Sequence, residues 1–180
     1  GPGVVRRGMR RSLLPLLLLG CGLLRFSAES TSQSTVEGAG LLGQVLSTLD
    51  FTGLDDFEVT IADEMADQGV EPGDLESVVV TEITLTAEPD LSFIESLEIY
   101  VSGPGVDEVL VASAHNFPEG QAEVALTMSG KPITEAVVAG DISWRAEVTG
   151  SAPVDDVELE VYVSVDIEAT AQGACRAAGG

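Results

Sequence analysis

The sequence predicts an all-β fold: an antiparallel β-sandwich of about seven strands with one or two short helical inserts. Three observations carry this. From Gly53 onward, apolar and polar residues alternate in short runs, as in strands with one buried and one solvated face. Turn-forming clusters separate the runs: "EPGD" at 71–74, "SGPG" at 102–105, "FPEG" at 117–120, "MSGKP" at 128–132 and "TGSAP" at 149–153. Hydrophobic residues make up 44% of the 180 residues, enough for one real core.

Each element follows from local spacing. "FEVTI" (Phe57–Ile61) reads as a first, weak strand. "VVTEITLTAE" places Val79, Thr81, Ile83, Leu85 and Ala87 on one face. "LEIYVS" does the same with Leu97, Ile99 and Val101, and "EVLVASA" (Glu108–Ala114) adds a second weak strand. "QAEVALTMS" buries Ala122, Val124, Leu126 and Met128; "DISWRAEVT" buries Ile142, Trp144, Ala146 and Val148. The clearest run, "VELEVYVSVDIEA", sets Val157, Leu159, Val161, Val163, Val165, Ile167 and Ala169 against a face of Glu158, Glu160, Tyr162, Ser164, Asp166 and Glu168. Such half-apolar strands pack as two antiparallel sheets face to face. Short helices are predicted over Pro89–Ser96, with Ser92 as N-cap, and over Ile133–Gly140, with Thr134 as cap and Gly140 as stop.

Charge excludes one class of partner. Acidic residues number 30 against 8 basic, a net charge of −22. Such a field repels phosphate, which argues against nucleic-acid binding. The acidic faces keep the sheets soluble and discourage edge-to-edge pairing.

Half of the basic residues (Arg6, Arg7, Arg10, Arg11) precede Ser12, and the apolar run from Leu13 to about Leu24 follows. That run is too short to span a bilayer, but it has the order of a secretory signal peptide. Residues 1–20 are therefore read as a signal peptide, with 1–8 upstream of a start at Met9. "LLGC" (Leu18–Cys21) resembles the lipobox of bacterial lipoproteins. The resemblance implies lipidation of Cys21 and, since Gly22 is not Asp, an outer-membrane anchor. A cut after Ala28, giving a free periplasmic or secreted chain, is the competing boundary. Residues 21–48, which include the small polar stretch Ser27–Gly40, read as a lipid-anchored tether. The sandwich is expected over 49–171, with a flexible tail at 172–180. Under either cut Cys175 has no intramolecular partner, leaving it free or paired between chains.

"LSFIESLEIYVS" followed by "EVLVAS" resembles uncharacterised envelope lipoproteins that carry a single immunoglobulin-like β-sandwich. This implies an immunoglobulin-like arrangement of the strands and says nothing about activity.

Little in the sequence points to catalysis. The only histidine, His115, lies two residues from Ser113 on one strand face, but no GxSxG motif accompanies the pair. One histidine and one remaining cysteine cannot hold zinc. Calcium prefers oxygen ligands, and the acidic pairs Asp55–Asp56, Asp107–Glu108 and Asp155–Asp156 could converge at one end of a sandwich. Tyr100 and Tyr162, on polar faces, are candidates for a small binding patch; Trp144 reads as core. The expected function is a non-catalytic cell-envelope lipoprotein: a structural, adhesive or protein-binding module, with no cofactor. Its partners would be the membrane, through the anchor, and an envelope protein or surface polymer. The alternative is a calcium- or small-ligand-binding envelope domain.

Overall fold

The computed structural model describes residues 23–40, 45–48, 54 and 57–179. The signal peptide at 1–20, Cys21, and Asp55 and Asp56 lie outside them.

The strand with the clearest alternation is the centre of the fold. In β9 (Val157–Ala169), the seven apolar residues of the inner face are each no more than 4% exposed. On one side β9 pairs antiparallel with β3 (Leu75–Glu88), on the other with β1 (Leu24–Val36) over its full length. β1 corrects the polar tether. Its inner face holds Leu24, Phe26, Ala28, Ser30, Ser32, Ser34 and Val36, opposite the buried residues of β9. Ala28 is 1% and Ser32 6% exposed. Three serines at inward positions erase the apolar alternation, so local composition imitates a linker. The N–H and C=O groups along the outer side of β9 nevertheless require a partner, and β1 supplies it.

The remaining pairs are nested. β4 (Ile94–Gly103) and β5 (Val106–His115) form a hairpin turning at Pro104–Gly105, where Gly105 adopts φ 72°. Around it β3 pairs with β6 (Glu123–Ala125), then β2 (Val45–Thr48) with β8 (Ser143–Ser151), and outermost β1 with β9. The chain is thus one long antiparallel ribbon rolled up, sealed by the β3–β9 and β4–β8 pairs. The sheets run β1-β9-β3-β6 and β2-β8-β4-β5-β7, where β7 is Thr127–Met128. The antiparallel sandwich is as expected. Its strand order is that of a jelly roll, which differs from the immunoglobulin arrangement, where the first two strands lie side by side in one sheet. Periodicity reports which face is buried and carries no information on strand order.

Some of the predicted runs depart from strict alternation. In β3, Val78 and Val80 point inward and Val79 outward, until a register shift between Val80 and Glu82 restores Ile83, Leu85 and Ala87 to the core. This bulge reverses the face predicted for Val79 and leaves Thr81 exposed. The "QAEVALTMS" run divides between the two sheets. Leu126 donates its N–H to Ile83 at 2.9 Å and Ser129 donates to Val111 at 2.8 Å, so this segment closes one side of the sandwich. At Gly150 in β8, an added Cβ would lie 2.1 Å from the Phe93 carbonyl oxygen, so only glycine permits β8 to pass there.

Among the described residues, three α-helices pack against the sheets. "FEVTI" is not a strand but opens α1 (Phe57–Asp67), whose Phe57, Ile61 and Met65 form one buried stripe at helical spacing. The following "ADEMAD" is rich in helix formers and outweighs the β-branched run Val59–Ile61. α2 (Thr134–Ala139) forms as predicted and stops at Gly140, φ 71°. Thr134 does not cap it; its hydroxyl accepts the Val78 N–H at 2.9 Å and pins α2 to β3. No helix forms over Pro89–Ser96: a turn at Asp90–Ser92 leads directly into β4, with Leu91 and Phe93 buried. The expected flexible tail is α3 (Ala171–Ala178), capped by Thr170, whose hydroxyl accepts the Gly173 N–H at 3.1 Å. Arg176 ties it to Asp74 at 2.8 Å and Glu71 at 3.1 Å. Gly173 sits against Asp74, where a Cβ would be 2.5 Å from the Asp74 Cβ.

A chain lacking everything before Glu37 should lose cooperative urea unfolding, because β9 would keep a bare edge; a tether could be removed without effect. Ile167→Ala, at a site 1% exposed, should lower stability by about 2–5 kcal/mol in the same measurement.

Candidate functional site

An apolar recess lies between α1 and α2. Ile61 and Met65 of α1 face Val137 and Val138 of α2, with Val70 and Ile142 completing the apolar lining. The two helices stand apart and enclose an open groove of about 560 Å³. Its geometry is set by one carboxylate. Beyond α2 the chain turns through Gly140 (φ 71°) and Asp141 (φ 50°), both left-handed. The Glu58 carboxylate on α1 accepts the N–H groups of Asp141 at 3.0 Å and Ile142 at 2.9 Å, holding the approach to β8 against the helix. Glu58 and Glu71 are the charged residues of the lining, and Val138 remains 49% exposed. The lining has no serine, cysteine, histidine or lysine. It can bind an apolar group; its two carboxylates are already engaged, Glu58 by the Asp141 and Ile142 N–H groups and Glu71 by Arg176.

A second cluster covers the outer face of the β4-β5-β8 sheet. Glu98 of β4 lies opposite Glu147 of β8, and Tyr100 opposite Arg145. Like charges facing each other across a sheet repel, and Arg145 offsets this. Its Nε and Nη2 donate to Glu108 at 2.7 and 2.5 Å, its Nη1 donates to Glu147, and its guanidinium lies 4.4 Å from the centre of the Tyr100 ring. The Tyr100 hydroxyl donates to Glu98 at 2.6 Å. That bond, with burial and the neighbouring glutamate charges, pushes the Tyr100 phenol up to about 12. Arg145 holds the Glu108 carboxyl below its ordinary range. The cluster satisfies its own donors and acceptors.

The candidates read from the sequence disperse. Asp107 and Glu108 stand near the β4–β5 tip, where Gly103 pairs with Val106; Asp155 and Asp156 follow β8 at the opposite end, where Ile94 pairs with Gly150. They cannot share a calcium ion. Glu108 is bound to Arg145, and Asp156 accepts the Gly38 N–H at 2.8 Å. Among the described residues, no three His, Cys, Asp or Glu side chains gather as a metal cage. Tyr100 and Tyr162 lie on the outer faces of different sheets, so they do not form one patch. His115 is exposed at the end of β5, with Ser113 on the same strand paired to Glu98 of β4. Trp144 is core-facing as expected; it packs on Phe57 with ring centres 5.7 Å apart, and its indole N–H meets no acceptor among the described residues.

Cys175 is disulfide-bonded, not free. Its place on α3, a helix docked through Arg176 rather than a loose tail, gives the sulfur a defined position. No local periodicity marks the groove. The one signal, for α1 alone, is the four-residue spacing of Phe57, Ile61 and Met65, obscured by the β-branched residues between the first two.

No family model and no curated protein matches the chain. Solved structures with partial likeness include a decameric BFDV capsid protein (9% identity, 81% of this chain and 99% of that one, TM-score 0.37). Others are the Desmodium yellow mottle tymovirus structure (9%, 94% and 95%, TM-score 0.33) and that of tomato aspermy virus (7%, 77% and 76%, TM-score 0.31). The jelly-roll assignment rests on the strand order.

An absorbance titration in a Tyr162→Phe background should place the Tyr100 midpoint near 12. Glu98→Gln should move it down toward about 10, because a neutral amide no longer disfavours the phenolate. A raised folded-state value means any stability Tyr100 contributes is complete below about pH 10 and lost as pH rises through the folded value.

Proposed function

We propose that this chain is an exported, non-catalytic module of the bacterial cell envelope that works by binding another protein. The observation carrying this is the division of its surface. The polar side chains that might do chemistry are bonded to one another or stand apart, while the apolar groove between α1 and α2 is open. A disulfide at Cys175 fits an oxidising compartment, as export requires.

The fold also bears on where a signal peptide would end. A cut after Ala28 would strip Leu24–Ala28 from β1, where they pair with Val165–Ala169 and Ala28 is 1% exposed. A cut before Cys21 spares the strand and supports the lipobox boundary. β1 then begins three residues after the anchor, so the sandwich would sit close to the membrane surface. Cys21 is the only other cysteine, and one sulfur cannot carry both a lipid thioether and a disulfide. Lipidation of Cys21 and a bond from it to Cys175 are therefore mutually exclusive, and only a lipid-free chain can close the disulfide within itself.

The non-reduced mass of the mature protein from its native cells tests this. The expected product starts at Cys21 with Cys175 oxidised; diacylglyceryl on Cys21 identifies the membrane-anchored form, and a lipid-free intramolecular bridge the soluble one. An uncleaved chain with both thiols reduced would overturn export.

A further inference from the structure

We infer that the α1–α2 groove is the docking slot for a cationic peptide segment of the partner, one that inserts a large apolar side chain between the helices. This rests on the protein-binding reading above and adds the site and the partner's chemistry.

The floor supplies the first half of the argument. Ile61, Met65, Val70, Val137 and Ile142 are buried in the core yet present edges to the groove, and Val138 is 49% exposed on one wall. Along the opposite wall, α1 exposes only the small residues Ala62 and Ala66, which leave the slot open where longer side chains would cover it. An apolar slot of about 560 Å³ accommodates a few side chains rather than a whole helix.

Charge supplies the second half. Glu58 and Glu71 line the groove, Asp141 adjoins it between Gly140 and Ile142, and the whole chain carries a net charge of −22. The nearby base Arg176 is already engaged by Asp74 and Glu71. An apolar slot inside a negative rim excludes an acidic ligand and attracts Lys- or Arg-flanked segments over a range set by salt. Such complementarity speeds encounter, while the inserted side chain provides the burial that holds the complex.

The test uses a short fluorescent peptide of leucine and lysine at helical spacing, with a leucine–glutamate peptide of the same pattern, titrated against the whole mature protein. The leucine–lysine peptide should bind, weaken as salt is raised, and lose about tenfold or more in affinity with Ala62→Trp or Ala66→Trp. Both variants fill the slot from exposed positions without altering charge. Thr31→Trp, on the outer face of β1, should bind as wild type does. Unchanged affinity in both filled variants would show that diffuse acidity, not the groove, holds the peptide, and would overturn the inference. So would equal binding of the leucine–glutamate peptide, or no binding of the leucine–lysine one. The export reading stands or falls separately, on the mature mass.

Discussion

The fold depends on keeping β9 paired along both edges while its inner face stays dry. This strand turns seven buried apolar residues inward, more than any other described strand, and at a sheet edge its backbone N–H and C=O groups would lack partners. β3 satisfies one side and β1 the other. With those pairs in place, the first and last strands of the ribbon are joined, and the nested pairs within must roll into two sheets. The other sheet follows the same logic around β4 and β8, whose inward residues Leu97, Ile99, Ala146 and Val148 meet those of β9 across the core.

A rolled ribbon has two sides to close, and this chain closes them differently. On one side the segment through Leu126 bonds to β3 and then to β5, joining the sheets with backbone. On the other, α1 lies beside β1 and turns Phe57 and Ile61 into the core. A helix cannot continue a sheet's hydrogen bonding, so it packs through side chains and leaves grooves. The recess beside α2 arises from that substitution, and Glu58 holds it open by engaging two backbone N–H groups of the next segment.

Electrostatics acts on the finished fold more than on its choice. Acidic residues occupy the outward positions of β4, β8 and β9, and a few arginines are placed where they meet several carboxylates at once. Arg145 serves Glu108 and Glu147 while lying over Tyr100; Arg176 serves Glu71 and Asp74 while fixing α3. The exposed pairs contribute little stability each, whereas the Asp74 carboxylate that meets Arg176 is buried. The effect of the exposed pairs is local order on a surface that otherwise repels itself.

By itself, the sequence determined that the protein is an antiparallel sandwich, which residues of β4, β8 and β9 face inward, and where the main turns and α2 fall. Those properties follow from side-chain alternation and turn chemistry, which act between near neighbours. Tertiary structure alone decided that the serine-rich stretch before Val36 is a strand, because only β9's unpaired edge calls for it. It likewise decided the bulge that reverses Val79, the helix at Phe57–Asp67, and the dispersal of the acidic pairs and of the two tyrosines. The groove belongs to the same class. Its walls come from segments about seventy residues apart, and their approach is fixed by sheet pairing and by one carboxylate bridging two elements, neither of which leaves a periodic mark in the chain.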